Sequence, residues 1–111
     1  MDIDFKTKKL AEVCNQEKKA RGRHGPVCAK KIMLRMEQLA AATSLADIFR
    51  LPGARCHPLD HDYAGCFAVD LEHPKRLIFK PYPEKPAPQT DGSVDWAQVT
   101  GVMVIGIEDY H

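Results

Sequence analysis

The chain has 111 residues, of which 44% are hydrophobic and 28% charged, and its 16 Lys and Arg against 15 Asp and Glu leave a formal net charge of +1. That length holds one small core, so a single domain over residues 1–111 is expected, and the apolar content is too high for a disordered chain. A net charge near zero excludes a global argument for polyanion binding, and no apolar run is long enough for a membrane-spanning helix.

Charge is unevenly placed. Residues 1–40 hold ten Lys and Arg against five Asp and Glu, a balance of +5, whereas residues 41–111 hold six against ten, a balance of −4. The plain explanation is solvated helix faces; the alternative is one basic surface for an anion. MDIDFKTKKL lacks the basic-then-apolar layout of a secretory signal, so a cytoplasmic location is expected. Cys14, Cys28, Cys56 and Cys66 include no C-x-x-C pair, which points to reduced thiols and away from a structural metal site.

In chain order, Ile3 and Phe5 alternate with Asp2 and Asp4 as in a half-buried strand. Leu10, Val13 and Cys14 then mark an amphipathic helix starting near Lys6. It is expected to run out in the stretch from Lys18 to Pro26, a basic turn with two glycines. Pro26 suits the first turn of a second helix, whose stripe is Cys28, Ile32, Met36, Leu39 and Ala40. Together they read as an αα-hairpin. Ser44 is placed to cap a short helix, Leu45 to Arg50, ending at Leu51-Pro52-Gly53. Phe67, Val69 and Leu71 alternate in one strand, Leu77-Ile78-Phe79 form another, and His73-Pro74 lies between, so residues 65–80 predict a β-hairpin. A Pro-rich loop covers residues 82–96. Val99 to Ile107 reads as a buried strand. Segregated helices and mainly antiparallel strands make an α+β fold, two N-terminal helices on a curved sheet.

Glycine-rich phosphate loops, H-E-x-x-H and G-x-S-x-G are missing from the sequence, and neither Ser44 nor Ser93 has a nucleophile-like setting. The conspicuous chemistry lies at the C-terminus, where a strand ends in Asp109-Tyr110-His111. Imidazole exchanges protons near neutrality and phenol can donate to a developing oxyanion, although a frayed polar tail is the plain alternative. His24, His61 and His73 read as structural or solvated. His57 falls in a strand of the sheet that carries the tail, and with Tyr110 and His111 it forms an acid–base set that needs neither metal nor cofactor. Such a set suits RNA, whose 2′-hydroxyl attacks the adjacent phosphate once deprotonated, with Arg76 and Lys80 supplying positive charge.

IDFKTKKL, LPGARCHPL, GCFAVDLEHPKRLIFKP and VIGIEDYH, in this order, resemble the HigB-type toxins of the RelE/ParE superfamily, the plasmid maintenance killer proteins. The resemblance implies a ribosome-dependent endoribonuclease that cuts mRNA and is held by a HigA-type helix-turn-helix antitoxin. It assigns catalysis to His57, Asp109, Tyr110 and His111, and phosphate contact to Arg76. On this view Lys80 and the helical cations Lys18, Lys19, Arg21, Arg23, Lys30 and Lys31 face RNA. The chain departs from the family where a basic loop usually follows the histidine strand: it reads Asp60-His61-Asp62-Tyr63-Ala64-Gly65. Carboxylates there oppose phosphate, so the alternative is a catalytically inactive relative acting as a protein-interaction module. Gyrase poisoning, as in ParE-like relatives, fits less well because those lack the terminal Asp-Tyr-His.

Overall fold

The structure, a computed structural model, describes residues 1–109; Tyr110 and His111 lie outside the described residues. The first strand, β1 (Asp2–Phe5), alternates in burial as its sequence predicts, with Ile3 and Phe5 turned to the core. Helix α1 (Lys8–Asn15) opens at Thr7, whose Oγ1 accepts the Leu10 N–H at 3.1 Å, satisfying one of the donors that a helix start leaves over.

The break between helices comes earlier than the glycines suggest. Gln16 is extended (φ −129°), and α2 follows directly as Glu17–Ala41. Lys18, Lys19, Arg21 and Arg23 are therefore helical and do not form a turn. Lys, Ala and Arg are good helix formers, and a single glycine at position 22 costs only about 1 kcal/mol. The helix instead bends at Gly25, which takes φ +84°, because Pro26 has no N–H to give and fits only where a new helical limb begins. The short α3 (Leu45–Phe49) starts at Ser44 as expected, but the Ser44 side chain makes no capping bond. Asp47 instead ties the helix start to the chain before it, its carboxylate accepting the Thr43 N–H at 2.9 Å.

Four more strands complete a five-stranded mixed sheet: β2 (His57–Pro58), β3 (Phe67–Asp70), β4 (Lys75–Pro81) and β5 (Gly101–Asp109), in the order β1-β5-β4-β3-β2. The predicted hairpin is β3–β4, in register Phe67↔Phe79 through Asp70↔Arg76. β5 lies inside the sheet, parallel to β1 and antiparallel to β4. Its register slips once: Val104 faces Phe79 and Gly106 faces Ile78. Ile105 is thus an extra residue, a bulge that increases local twist. β1 pairs with β5 only as far as Val104.

Alternation along the strands divides the sheet into two unlike faces. Phe67, Val69, Leu77, Phe79, Val102 and Val104 pack against Ile32, Met36, Leu39, Leu45 and Ile48 of the helices; each such large side chain contributes about 1.5–3 kcal/mol when fully buried. The far face carries a smaller patch of Leu59, Cys66, Ala68 and Ile78, flanked by Tyr63 and Ile105. Arg35 ties the layers together from within the core: Nε donates to the Asp70 carbonyl at 2.7 Å and NH2 to the Gly53 carbonyl at 2.8 Å. The Pro-rich segment is anchored at its end by Trp96, stacked on Phe49 at 5.4 Å and edge-on to Phe67 at 4.8 Å. All four thiols are unpaired, and burial pushes those of Cys14 and Cys56 up to about 12. No helix among the described residues is long and apolar enough to cross a membrane.

Candidate active site

The sheet face turned away from the helices gathers polar side chains in rows set by strand register. β2 pairs with β3 as His57↔Ala68, and Ala68 faces Ile78; residues in register share a face. His57 therefore stands on the same side as Ile78. One row along, Arg76 pairs with Asp70, and Arg55 reaches the same carboxylate from the loop before β2. One row the other way, Lys80 extends β4 into solvent. His57, Arg76 and Lys80 are thus brought to one face by the period-2 geometry of three neighbouring strands.

Asp70 is the hub of this face. Arg76 Nε donates to its Oδ1 at 3.1 Å, and Arg55 Nε lies 3.6 Å from its Oδ2. The same Arg55 sets the histidine. His57 Nδ1 is 2.8 Å from the Arg55 carbonyl oxygen. A carbonyl can only accept, so Nδ1 carries the proton and the lone pair of the neutral ring is on Nε2. Arg55 achieves this with a left-handed backbone, φ +49°, a conformation that costs a non-glycine residue about 1–3 kcal/mol and clusters at functional sites.

The loop between β2 and β3 folds back over this face. Its 3-10 turn, His61–Tyr63, presents the Tyr63 hydroxyl, which donates to Glu108 Oε2 of β5. That bond, then burial, then the Glu108 charge raise the phenol to about 12. Glu108 is in register with Arg76. The face therefore holds Arg55, Arg76 and Lys80 against Asp70 and Glu108, with Asp60 and Asp62 exposed beside it. The carboxylates moderate the field: Arg76 and Asp70 form a half-buried pair, whereas Arg55 is exposed and its ion pair is worth only about 0–1 kcal/mol, so an incoming phosphate can compete for that guanidinium.

The remaining sequence-predicted residues lie elsewhere. Asp109 is in register with Lys75, whose Nζ is 3.2 Å from His24 Nδ1 in the helical layer. Asp109 therefore belongs to the side opposite His57. Lys18, Lys19, Arg21, Arg23, Lys30 and Lys31 are all exposed on α2. Arg23 also lines a cleft of about 240 Å³ with Lys9, His24 and the stretch of β5 beyond its pairing with β1. Tyr110 and His111 lie outside the described residues. β2 and β5 stand three strand spacings apart, roughly 14 Å.

Sequence reasoning missed Arg55, Asp70, Tyr63 and Glu108. Strand parity could have found Asp70, which the hairpin symmetry pairs with Arg76; Arg55 precedes β2 with a left-handed backbone, where that parity does not hold. The Tyr63–Glu108 contact joins residues 45 apart and carries no local signal.

No protein-family model and no curated protein matches the sequence. Among solved structures, a YoeB/ParE toxin from Agrobacterium tumefaciens superposes with a TM-score of 0.60 at 13% sequence identity, covering 100% of both chains. The likeness is one of fold, complete from end to end: this chain has the α+β architecture of a YoeB/ParE toxin, helices on one side of a five-stranded mixed sheet.

Proposed function

We propose that the chain is a HigB-type toxin of the RelE/ParE superfamily, acting in the cytoplasm as a ribosome-dependent mRNA endoribonuclease and held in check by a HigA-type helix-turn-helix antitoxin. The observation that carries this reading is the Arg55 carbonyl on His57 Nδ1, because it leaves Nε2 as a base on a face that also bears Arg76 and Lys80. In the reaction, Nε2 takes the proton of an RNA 2′-hydroxyl. The freed oxygen attacks the adjacent phosphorus, a 2′,3′-cyclic phosphate forms, and the 5′-oxygen leaves with a proton. His111 is assigned as the donor of that proton, Tyr110 as a hydrogen-bond donor to the phosphate, and Asp109 as the residue that fixes the tail from the Lys75 side. Arg76 and Lys80 offset the charge gathering on the phosphorane, while the α2 cations contact ribosomal RNA backbone.

The test is induction in growing bacteria with mapping of mRNA ends. Cleavage within translated codons and growth arrest are expected, and His57→Ala should lower the cleavage rate by roughly 10²–10⁴-fold, as for loss of one proton-transfer group. Unbroken messages at good expression would remove the nuclease reading. A second reading, an inactive relative that works as an interaction module, is favoured by the carboxylates of Asp70 and Glu108 on the same face and by the acidic loop. It predicts that His57→Ala leaves growth unaltered while antitoxin binding persists.

A further inference from the structure

Beside the His57 row, the far face of the sheet opens into a groove of about 690 Å³ between the 62–66 loop and the segment that follows β4. Small-molecule clefts typically measure ~300–1,000 Å³. Three lysines line it, Lys6, Lys80 and Lys85, with Asp62 as the carboxylate opposing them; all three lysines are exposed. Two tyrosines, Tyr63 and Tyr82, line it as well. Tyr82 is 37% exposed, one of the large apolar side chains that the fold leaves outside. Its backbone is pinned, however: the Tyr82 N–H donates to the Gly101 carbonyl at 3.0 Å, and a side chain at position 101 would drive into the Tyr82 carbonyl oxygen.

An outward aromatic ring on an anchored backbone, set among lysines, is the pairing that single-stranded nucleic acid uses, with bases on π-faces and phosphates on cations. An acidic peptide would use the lysines but gain little from the ring. We propose that this groove is a nucleotide subsite: it holds the single-stranded RNA next to the bond presented to His57, with Tyr82 stacking a base and Lys6 and Lys85 taking its phosphates. The inference rests on the nuclease reading for its direction. Lys80 belongs to both places, one side-chain row from His57 and on the groove wall, so a strand passing from one to the other stays on charge.

The probe is a fluorescent 2′-O-methyl oligoribonucleotide, which binds but cannot be cleaved, titrated against the whole chain at several salt concentrations. Tyr82→Ala and Tyr82→Leu should each weaken binding about tenfold or more, since a stacked base is lost in both. Lys6→Gln and Lys85→Gln should each lower the salt slope by about 0.7. These side chains are exposed, and thermal melts of each variant check that the fold is kept. Unchanged affinity in Tyr82→Leu and Lys85→Gln overturns the subsite, as does equal binding of poly-glutamate, which would make the groove a peptide site. The two readings fail separately: Tyr82-dependent binding without mRNA cleavage keeps the groove and removes the nuclease, and cleavage indifferent to Tyr82 does the reverse.

Discussion

Tyr63 is where the acidic departure of this sequence becomes physical. Its hydroxyl on Glu108 lays the ring across the patch formed by Ala68, Ile78 and Ile105, beside the row that carries His57. Raised to about 12 from an ordinary value of 10.0, the phenol stays protonated in the folded chain. The contact therefore favours the native state fully below pH 10 and loses that effect as pH rises from there through about 12. Ultraviolet titration should show a late phenol ionisation, and Tyr63→Phe should abolish that step. The same substitution frees Glu108 from its donor, so RNA affinity is expected to change without loss of fold.

At the scale of elements, Arg35 does what the helix and sheet faces cannot do by apolar contact alone. It is 4% exposed and reaches both the Asp70 and Gly53 carbonyls from α2, holding β3 and the loop before β2 in place beneath the site. Burial lowers its pKa, partly countered by the Asp70 charge. Arg35→Met keeps the volume but strands those carbonyls, and a loss of about 2–4 kcal/mol in urea unfolding is expected. The layers meet again at His24 and Lys75. Burial, then the charges of Lys75 and Arg23, lower the His24 pKa below 6.5. The neutral ring accepts from Lys75, so its contribution is present above pH 6.5 and is lost as pH falls through the lowered value. Stability measured across that window should fall toward acid, and His24→Gln should flatten the profile.

The whole molecule separates its charge across the sheet. The exposed cations of α2 lie in the helical layer, on the opposite side from His57, Arg76 and Lys80. The proposed function assigns backbone binding to the first of these faces and the reaction to the second. Replacing Lys18, Lys19, Lys30 and Lys31 by Gln is expected to weaken ribosome association and its salt dependence, read by co-sedimentation. Binding of a short oligonucleotide to the His57 face should be unaffected, because exposed charges more than a Debye length of about 8–10 Å away are screened.

Much of this architecture could be read from local pattern. The period-2 runs located β1, the β3–β4 hairpin and β5, the 3.6-residue stripes located the helices, and the Pro-Gly turn isolated His57, because these signals depend on neighbours within a few positions. Helix propensity in the 18–24 stretch outweighed its glycine, so the break fell at Gln16 and the bend at Gly25. What required tertiary structure was the joining of distant segments. The Arg55 carbonyl reaches His57 only because of a left-handed backbone at position 55. Tyr63 meets Glu108, and Tyr82 meets Gly101, only once the sheet order brings β5 beside β4. Residue identity and spacing decide which side chains share a face, since strand and helix periods are properties of the local backbone; which faces then close around a ligand is decided by packing between segments far apart in the chain, to which no local period corresponds.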